Sequence, residues 1–278
     1  MADPNGGGAV SDKILSDIKP CCADLYAKPV VAWLLGDSLH PGGLALTQRL
    51  GRMLKLTPSD RALDIACGSG ASAMLLAGQF GCRVTGVDLA PLLVSGARAA
   101  ATREKLEWVL GFALGDAEAL PFREASFDAV VSECAISTFL DKGAAAREMA
   151  RVLKPGGRLG LTDMLLTRGE VPEAFRGWPF QAACIADVWP AGKYQEVFSS
   201  AGFSNWRIEK VPEALTELLN QIRARLLALE VAGGLQKLDL SGYDLAAVKQ
   251  ALSTVERWVN SGGLSYGIFF ALREVRHG

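Results

Sequence analysis

Short apolar runs of strand length alternate with amphipathic stretches of helix length through the middle of this chain, and that alternation restricts its fold more than any other feature. The runs are Ala62–Ala66, Arg83–Asp88, Trp108–Ala113, Phe127–Ser132, Arg158–Met164 and Trp206–Val211, and helical patterns at 71–80, 91–105 and 143–153 separate most of them. Strands joined through helices pair in parallel, because the crossover returns the chain to the same end of the sheet, and the helices then cover both faces. The expected fold is therefore α/β with a doubly wound parallel sheet. Residues 12–35 and 43–56 read as helices ahead of it, with His40-Pro41-Gly42-Gly43 as the turn between them. Lys154-Pro155-Gly156-Gly157 reads as a helix end, basic and then glycine-rich, from which the chain reopens as a strand. After the sixth strand, 212–232 and 244–260 look helical and Leu264–Leu272 reads as a last strand that pairs back into the sheet. The expected organisation is a disordered tail at 1–10, a helical cap at 11–56, a core at 57–211, a helical insertion at 212–260 and a final strand and tail at 261–278. An insertion of that size at a sheet edge suits a lid, a substrate wall or a dimer surface; both a monomer and a homodimer fit.

Composition removes several classes of function. The 278 residues are enough for one large domain or one and a half, with a substantial core. Lys+Arg 29 against Asp+Glu 30 leaves a net charge of −1, so no excess of positive charge calls for nucleic acid or an anionic membrane. Charged residues interrupt the apolar runs well before the ~18 needed to span a bilayer. The opening MADPNGGGAVSDK lacks the basic flank and apolar stretch of a secretory signal, so a cytoplasmic protein is expected, its six cysteines kept as thiols. With only two histidines, His40 and His277, and no CxxC, no metal site is expected.

The stretch Leu63-Asp64-Ile65-Ala66-Cys67-Gly68-Ser69-Gly70 runs from a strand through glycines into a helix. A Cβ at Gly68 or Gly70 is expected to obstruct a ligand approaching the turn, and the new helix offers free N–H groups to an anionic group. Gly68-Ser69-Gly70-Ala71-Ser72-Ala73 also fits G-x-G-x-x-G/A, with Asp88 20 residues after Gly68, so NAD is an open reading. Against it, Asp64 beside a pyrophosphate would add negative charge to negative charge, whereas a cationic ligand suits it. Asp88 closes the second strand in Gly86-Val87-Asp88-Leu89, placed to accept hydrogen bonds from two ribose hydroxyls. Gly115-Asp116-Ala117 follows the third strand at the same sheet edge, where Asp116 could read an adenine amino group.

Together with Leu120-Pro121-Phe122, Ser126-Phe127-Asp128 and Leu153-Lys154-Pro155-Gly156-Gly157, these pieces resemble the class I S-adenosylmethionine-dependent methyltransferases over about residues 60–165. The resemblance implies a Rossmann-like sheet of seven strands whose last strand, supplied by Leu264–Leu272, runs antiparallel. It implies S-adenosylmethionine as cofactor, with Gly68 and Gly70 at its methionine end, Asp88 and Leu89 at the ribose, and Asp116 and Ala117 around the adenine. Asp64, Ala66 and Ser132 complete the implied cofactor contacts; Ala66 stands where the family more often has glycine.

Residues just after the fourth and fifth strands should face the transferring methyl, since sites in such sheets lie beyond the carboxyl ends of the strands. The fourth strand ends Val131-Ser132-Glu133-Cys134, and Cys184 follows the fifth. That spacing resembles the arsenite methyltransferases, which implies Cys134 and Cys184 as the catalytic thiols, binding a trivalent metalloid such as As(III). Soft thiolates suit a soft metalloid. Cys21 or Cys22 is the further thiol implied, only one of them because neighbours on a helix diverge by about 100°, and His40 is a polar substrate contact or base. Cys67 and Cys82 read as structural, and Trp178 and Trp189 flank Cys184. The alternative is O-, N- or C-methylation of a small organic metabolite enclosed by 12–56 and 212–260, with His40, Glu133 or Tyr26 as base. A cofactor-binding protein without transferase chemistry is a third reading.

Overall fold

The computed structural model describes residues 26, 28–36, 38–175, 184–231 and 245–275. The expected tail at 1–10, Cys21, Cys22, Trp178 and His277 lie outside the described residues.

Seven strands form one sheet: β1 (Arg61–Ile65), β2 (Arg83–Asp88), β3 (Leu110–Leu114), β4 (Phe127–Glu133), β5 (Leu153–Leu166), β6 (Phe203–Lys210) and β7 (Leu264–Arg273), in the order β3-β2-β1-β4-β5-β7-β6. Strands β1 to β5 pair in parallel, and β7 lies antiparallel to both β5 and β6. The order reverses between β1 and β4, and their carboxyl ends open the crevice in which this architecture binds ligands. Ahead of the sheet stand α1 (Pro29–Leu35) and α2 (Gly43–Met53); the crossovers are α3 (Ala71–Phe80), α4 (Pro91–Arg103), α5 (Lys142–Val152) and α6 (Ala191–Ser200); α7 (Pro212–Val231) and α8 (Leu245–Asn260) form the insertion before β7.

Alternate residues of each strand serve opposite faces, as the period of two requires. On β4, Val131 belongs to the buried cluster that holds Leu50 of α2 and Leu76 of α3, while Val130 belongs to the one that holds Met149 of α5 and Phe198 of α6. Helix α2 lies close on β5 because Gly160 has no side chain; a Cβ there would come within 2.8 Å of Leu50 Cδ1. The insertion meets the N-terminal helices through Arg225, whose guanidinium donates to the carbonyls of Trp33 (2.6 Å) and Leu34 (2.9 Å). Those carbonyls end α1 and have no partner within it, so a cation is well placed there. An Arg223–Glu256 ion pair ties α7 to α8, and Trp258 stacks on Phe175 with ring centroids 4.9 Å apart.

Two local expectations are corrected. Lys154-Pro155-Gly156-Gly157 does not end a helix: α5 stops at Val152, and the segment is a bulge at the start of β5. Phe127 pairs with Leu153 and Ala129 with Arg158, so β5 spends five residues where β4 spends two. Pro155 has no N–H to give a ladder and Gly156 turns with φ 73°, which together push the chain out of register. The third strand begins at Leu110, not Trp108. Residues 106–110 form a turn, in which Leu106 O accepts from Val109 N and Leu110 N, and Trp108 is left exposed.

Candidate active site

The loop after β1 leaves the sheet at Ala66, held in the left-handed region at φ 58°, and Gly68 and Gly70 follow at φ 54° and 79°. Its Gly68 N–H donates to Asp88 Oδ2 at 2.8 Å, while Asp88 Oδ1 accepts from Ala90 N at 2.9 Å. Asp88 thus ties two loops together. Burial raises its pKa, and the N–H groups of Ala90, Gly68 and Leu89 offset part of the rise.

A cleft partly open to solvent lies over these strand ends. Asp64, Ala66 and Gly68 line it near β1, and Asp88, Leu89, Asp116 and Ala117 line it near β2 and β3. Tyr26, Leu39 and His40 close it from the N-terminal side, and Glu133 and Cys134 from β4. Asp116 Oδ1 accepts from its own turn, at Glu118 N (2.9 Å).

Two expected cofactor contacts lie elsewhere. Ser132 is fully buried and spends its hydroxyl on Ile65 O at 3.0 Å, joining β4 to β1. Gly70 packs beneath a ring instead of beside the cleft: a Cβ on it would come within 2.6 Å of Phe112 Cζ and 3.0 Å of Ala97 Cβ.

Asp64 is 2% exposed, and its Oδ2 has no hydrogen-bond partner. Burial, then Glu133 and Asp88, holds its carboxyl well above the usual range, against one backbone N–H, that of Ala73, which stabilises the ionised form. An unpartnered buried carboxylate oxygen at the edge of a cleft calls for a ligand bringing positive charge and N–H donors. The ammonium of S-adenosylmethionine fits that requirement, and a pyrophosphate does not.

The second group of polar atoms was not visible as a group in the sequence. Glu133 Oε2 accepts from Thr47 Oγ1 at 2.9 Å and from Ser72 Oγ at 2.6 Å, with His40 Nε2 3.5 Å away. His40 Nδ1 lies 3.1 Å from Pro41 O, which can only accept, so Nδ1 carries a proton. His40 Nδ1 thus faces the Pro41 carbonyl, and its Nε2 is turned to the Ser72 and Thr47 hydroxyls.

Cys134 and Cys184 are brought together, each at positive φ (55° and 59°). Cys184 Sγ donates to Cys134 O at 3.0 Å, and Tyr26 Oη is 3.5 Å from the same sulfur. The hydrogen bond with Cys184, with burial adding, pushes the Cys134 thiol well above its ordinary pKa. Cys184 is 1% exposed and does not line the cleft. Among the described residues no three His, Cys, Asp or Glu side chains gather as metal ligands. Cys82 is buried away from the cleft with its thiol pushed up to about 11 by burial, and burial likewise raises Cys67. Trp189 packs on Tyr194, ring centroids 5.6 Å apart, and does not wall the cleft.

Behind the thiols, Asp163 of β5 is fully buried and accepts from Ser137 N (2.9 Å), Ser137 Oγ (2.9 Å) and Met164 N (2.7 Å). Burial still pushes it up to about 6. Its only signal in the sequence is a lone acid inside the apolar run Leu159–Leu166. Because the folded value lies above the ordinary 3.8, the stability Asp163 contributes is full below that pH and lost as pH rises to about 6. The loss amounts to about 3 kcal/mol. Urea unfolding of the wild type and Asp163→Asn between pH 4 and 7 checks this: the variant's profile is expected to be flatter by about that amount, whatever its absolute stability.

Comparison with known proteins agrees with this geometry. Residues 63–161 match the family model described as a methyltransferase domain. A 27-O-demethylrifamycin SV methyltransferase from Amycolatopsis mediterranei is 40% identical over 145 residues, 48% of this chain and 53% of that protein. A 2-phytyl-1,4-naphtoquinone methyltransferase from Synechococcus elongatus is 30% identical over 227 residues, covering 80% of this chain and 90% of that protein. The chain spans about half the length of the first curated relatives it matches, and several other relatives are named O-methyltransferases. The structure of a Haemonchus contortus phosphoethanolamine N-methyltransferase 2 in complex with S-adenosyl-L-methionine superposes with a TM-score of 0.76 at 22% identity, covering 98% of this chain and 62% of that one, a likeness of fold alone.

The sheet order, with a cleft over the carboxyl ends of its strands, suits a protein that binds its ligand at those strand ends. The chain belongs to the class I S-adenosylmethionine-dependent methyltransferases. No helix among its described residues is long and apolar enough to cross a membrane.

Proposed function

We propose that this methyltransferase acts on a hydroxyl oxygen of a small, uncharged organic molecule. The observation that carries the reading is the lining of the cleft: carboxylates at the cofactor end, Tyr26, Ala135 and Phe139 toward the cap and β4, and no Lys or Arg among the described residues. Such a wall disfavours a phosphorylated or otherwise anionic acceptor, since a buried anion without a counter-charge is costly. The O-methyltransferase names among the relatives support oxygen as the atom methylated. The cofactor supplies an electrophilic methyl on a sulfonium. The protein aligns an acceptor with it and keeps water out, which is the larger part of catalysis in a displacement of this kind. Leu39 and His40, carried by the turn before α2, cover the glycine loop, so cap and core together form the enclosure. Asp64, Gly68, Asp88, Leu89, Asp116 and Ala117 are the residues we assign to the cofactor.

A second reading, transfer to thiol-bound As(III), draws on the contact between Cys134 and Cys184. It asks more of the site: Cys184 must leave its hydrogen bond and its buried position, and Cys134 must ionise against a raised pKa. Formation of S-adenosylhomocysteine with a panel of phenols and alcohols, and separately with arsenite, tests both. Turnover of a hydroxyl compound that persists in Cys134→Ser/Cys184→Ser is the expected result. Turnover with arsenite alone, lost in the double variant, would replace the first reading by the second.

A further inference from the structure

We propose that Glu133 is a second carboxylate for the cofactor's ammonium group, acting with Asp64 and held in place by Thr47, Ser72 and His40. The inference does not depend on which acceptor is methylated. Glu133 ends β4 and Asp64 lies near the end of the adjacent strand β1, close enough that Glu133 is the leading charged influence on Asp64. Each has one carboxylate oxygen that is buried and unpartnered, Oδ2 of Asp64 and Oε1 of Glu133, and both residues line the cleft.

The other Glu133 oxygen is fully engaged. Each hydroxyl has a single hydrogen, and the shortest contacts of Thr47 Oγ1 (2.9 Å) and Ser72 Oγ (2.6 Å) are to Oε2, which fixes the rotamer of the carboxylate. His40 Nε2 lies 3.3 Å from Ser72 Oγ and 3.4 Å from Thr47 Oγ1, on the cap side of both. What remains is a pair of orphaned oxygens on adjacent strands. A ligand that satisfies both must bring positive charge and at least two hydrogen-bond donors. A sulfonium has charge and no donor; ribose hydroxyls have donors and no charge. A primary ammonium has both, with three N–H groups.

Isothermal titration of the intact protein with S-adenosylhomocysteine, and with its deamino analogue in which hydrogen replaces the amine, tests the pairing without turnover. Wild type is expected to prefer the amine by about a hundredfold, as for two charge-assisted hydrogen bonds. In Glu133→Gln that preference should fall about tenfold, with the analogue's own affinity little changed. Equal loss of affinity for both ligands, or an unchanged preference combined with lost turnover, would overturn the proposal; the latter would make Glu133 a base. Thr47→Val, which leaves the charge and removes one of the donors holding it, gives a second arm should Glu133→Gln fail to fold. A preference reduced severalfold supports the proposal, and one equal to wild type overturns it.

Discussion

Asp64→Asn is expected to bind S-adenosylmethionine about ten- to a hundredfold more weakly and, without cofactor, to unfold at a higher temperature than the wild type. The two effects have one cause. Asp64 is 2% exposed with an unpartnered Oδ2, and burial, Glu133 and Asp88 all raise its pKa above the ordinary 3.8. A carboxyl raised on folding contributes stability that is full below its unfolded value and lost as pH rises through its folded one, so at neutral pH its charge opposes folding. Asparagine keeps the shape and can still accept the Ala73 N–H through its oxygen, while removing the charge. The same change takes away the anion that a cationic ligand pairs with. Thermal unfolding at pH 7 with and without saturating S-adenosylhomocysteine separates the effects, because ligand stabilisation grows as the logarithm of concentration over Kd. The variant should start higher and gain less. A variant that starts lower would show that the carboxylate is a structural partner in the ligand-free protein.

Readings from the sequence succeeded where the signal is local. The strand and helix periods, and acids that end strands, are properties of five to fifteen consecutive residues, so the parallel sheet and the positions of Asp64, Asp88 and Asp116 on the cleft could be anticipated, whereas the antiparallel direction of β7 was implied by the family resemblance alone. They failed where a residue's meaning comes from a distant partner. Lys154-Pro155-Gly156-Gly157 carries the composition of a helix end, and only its pairing with β4 makes it a bulge. Ser132 and Glu133 were both at the right strand end, but alternation sends Ser132 to Ile65 O and leaves Glu133 on the cleft. The Thr47, Ser72, His40 and Glu133 group joins α2, α3, the cap turn and β4, and no spacing in the chain announces it. Cys134 and Cys184 do meet, yet the sulfur of Cys184 is turned onto a carbonyl.

Gly70 sharpens the distinction between a glycine kept for a ligand and one kept for packing. The sequence suggested the first, because the motif is one that brings backbone against a cofactor. The structure puts Phe112 of β3 over it: an added Cβ would meet Cζ at 2.6 Å and Cε1 at 2.8 Å, and the backbone is at φ 79° besides. The ring has little room to yield, since a Cβ on Gly86 would come within 2.5 Å of Phe112 Cδ1. Gly70→Ala should therefore cost about 1 kcal/mol for the left-handed conformation and about 1–3 kcal/mol for overpacking. A Tm lower by roughly 5–10 °C follows for a chain of this size. Shortening the ring in Phe112→Leu relieves the steric part and leaves the conformational part. The double variant should thus be less destabilised than the two single variants together, by about 1–2 kcal/mol. Because the methyl points away from the cleft, the folded Gly70→Ala protein should bind S-adenosylhomocysteine within about threefold of wild type. A large loss of affinity at unchanged Tm would reverse the assignment, returning Gly70 to the cofactor and leaving its contact with Phe112 incidental.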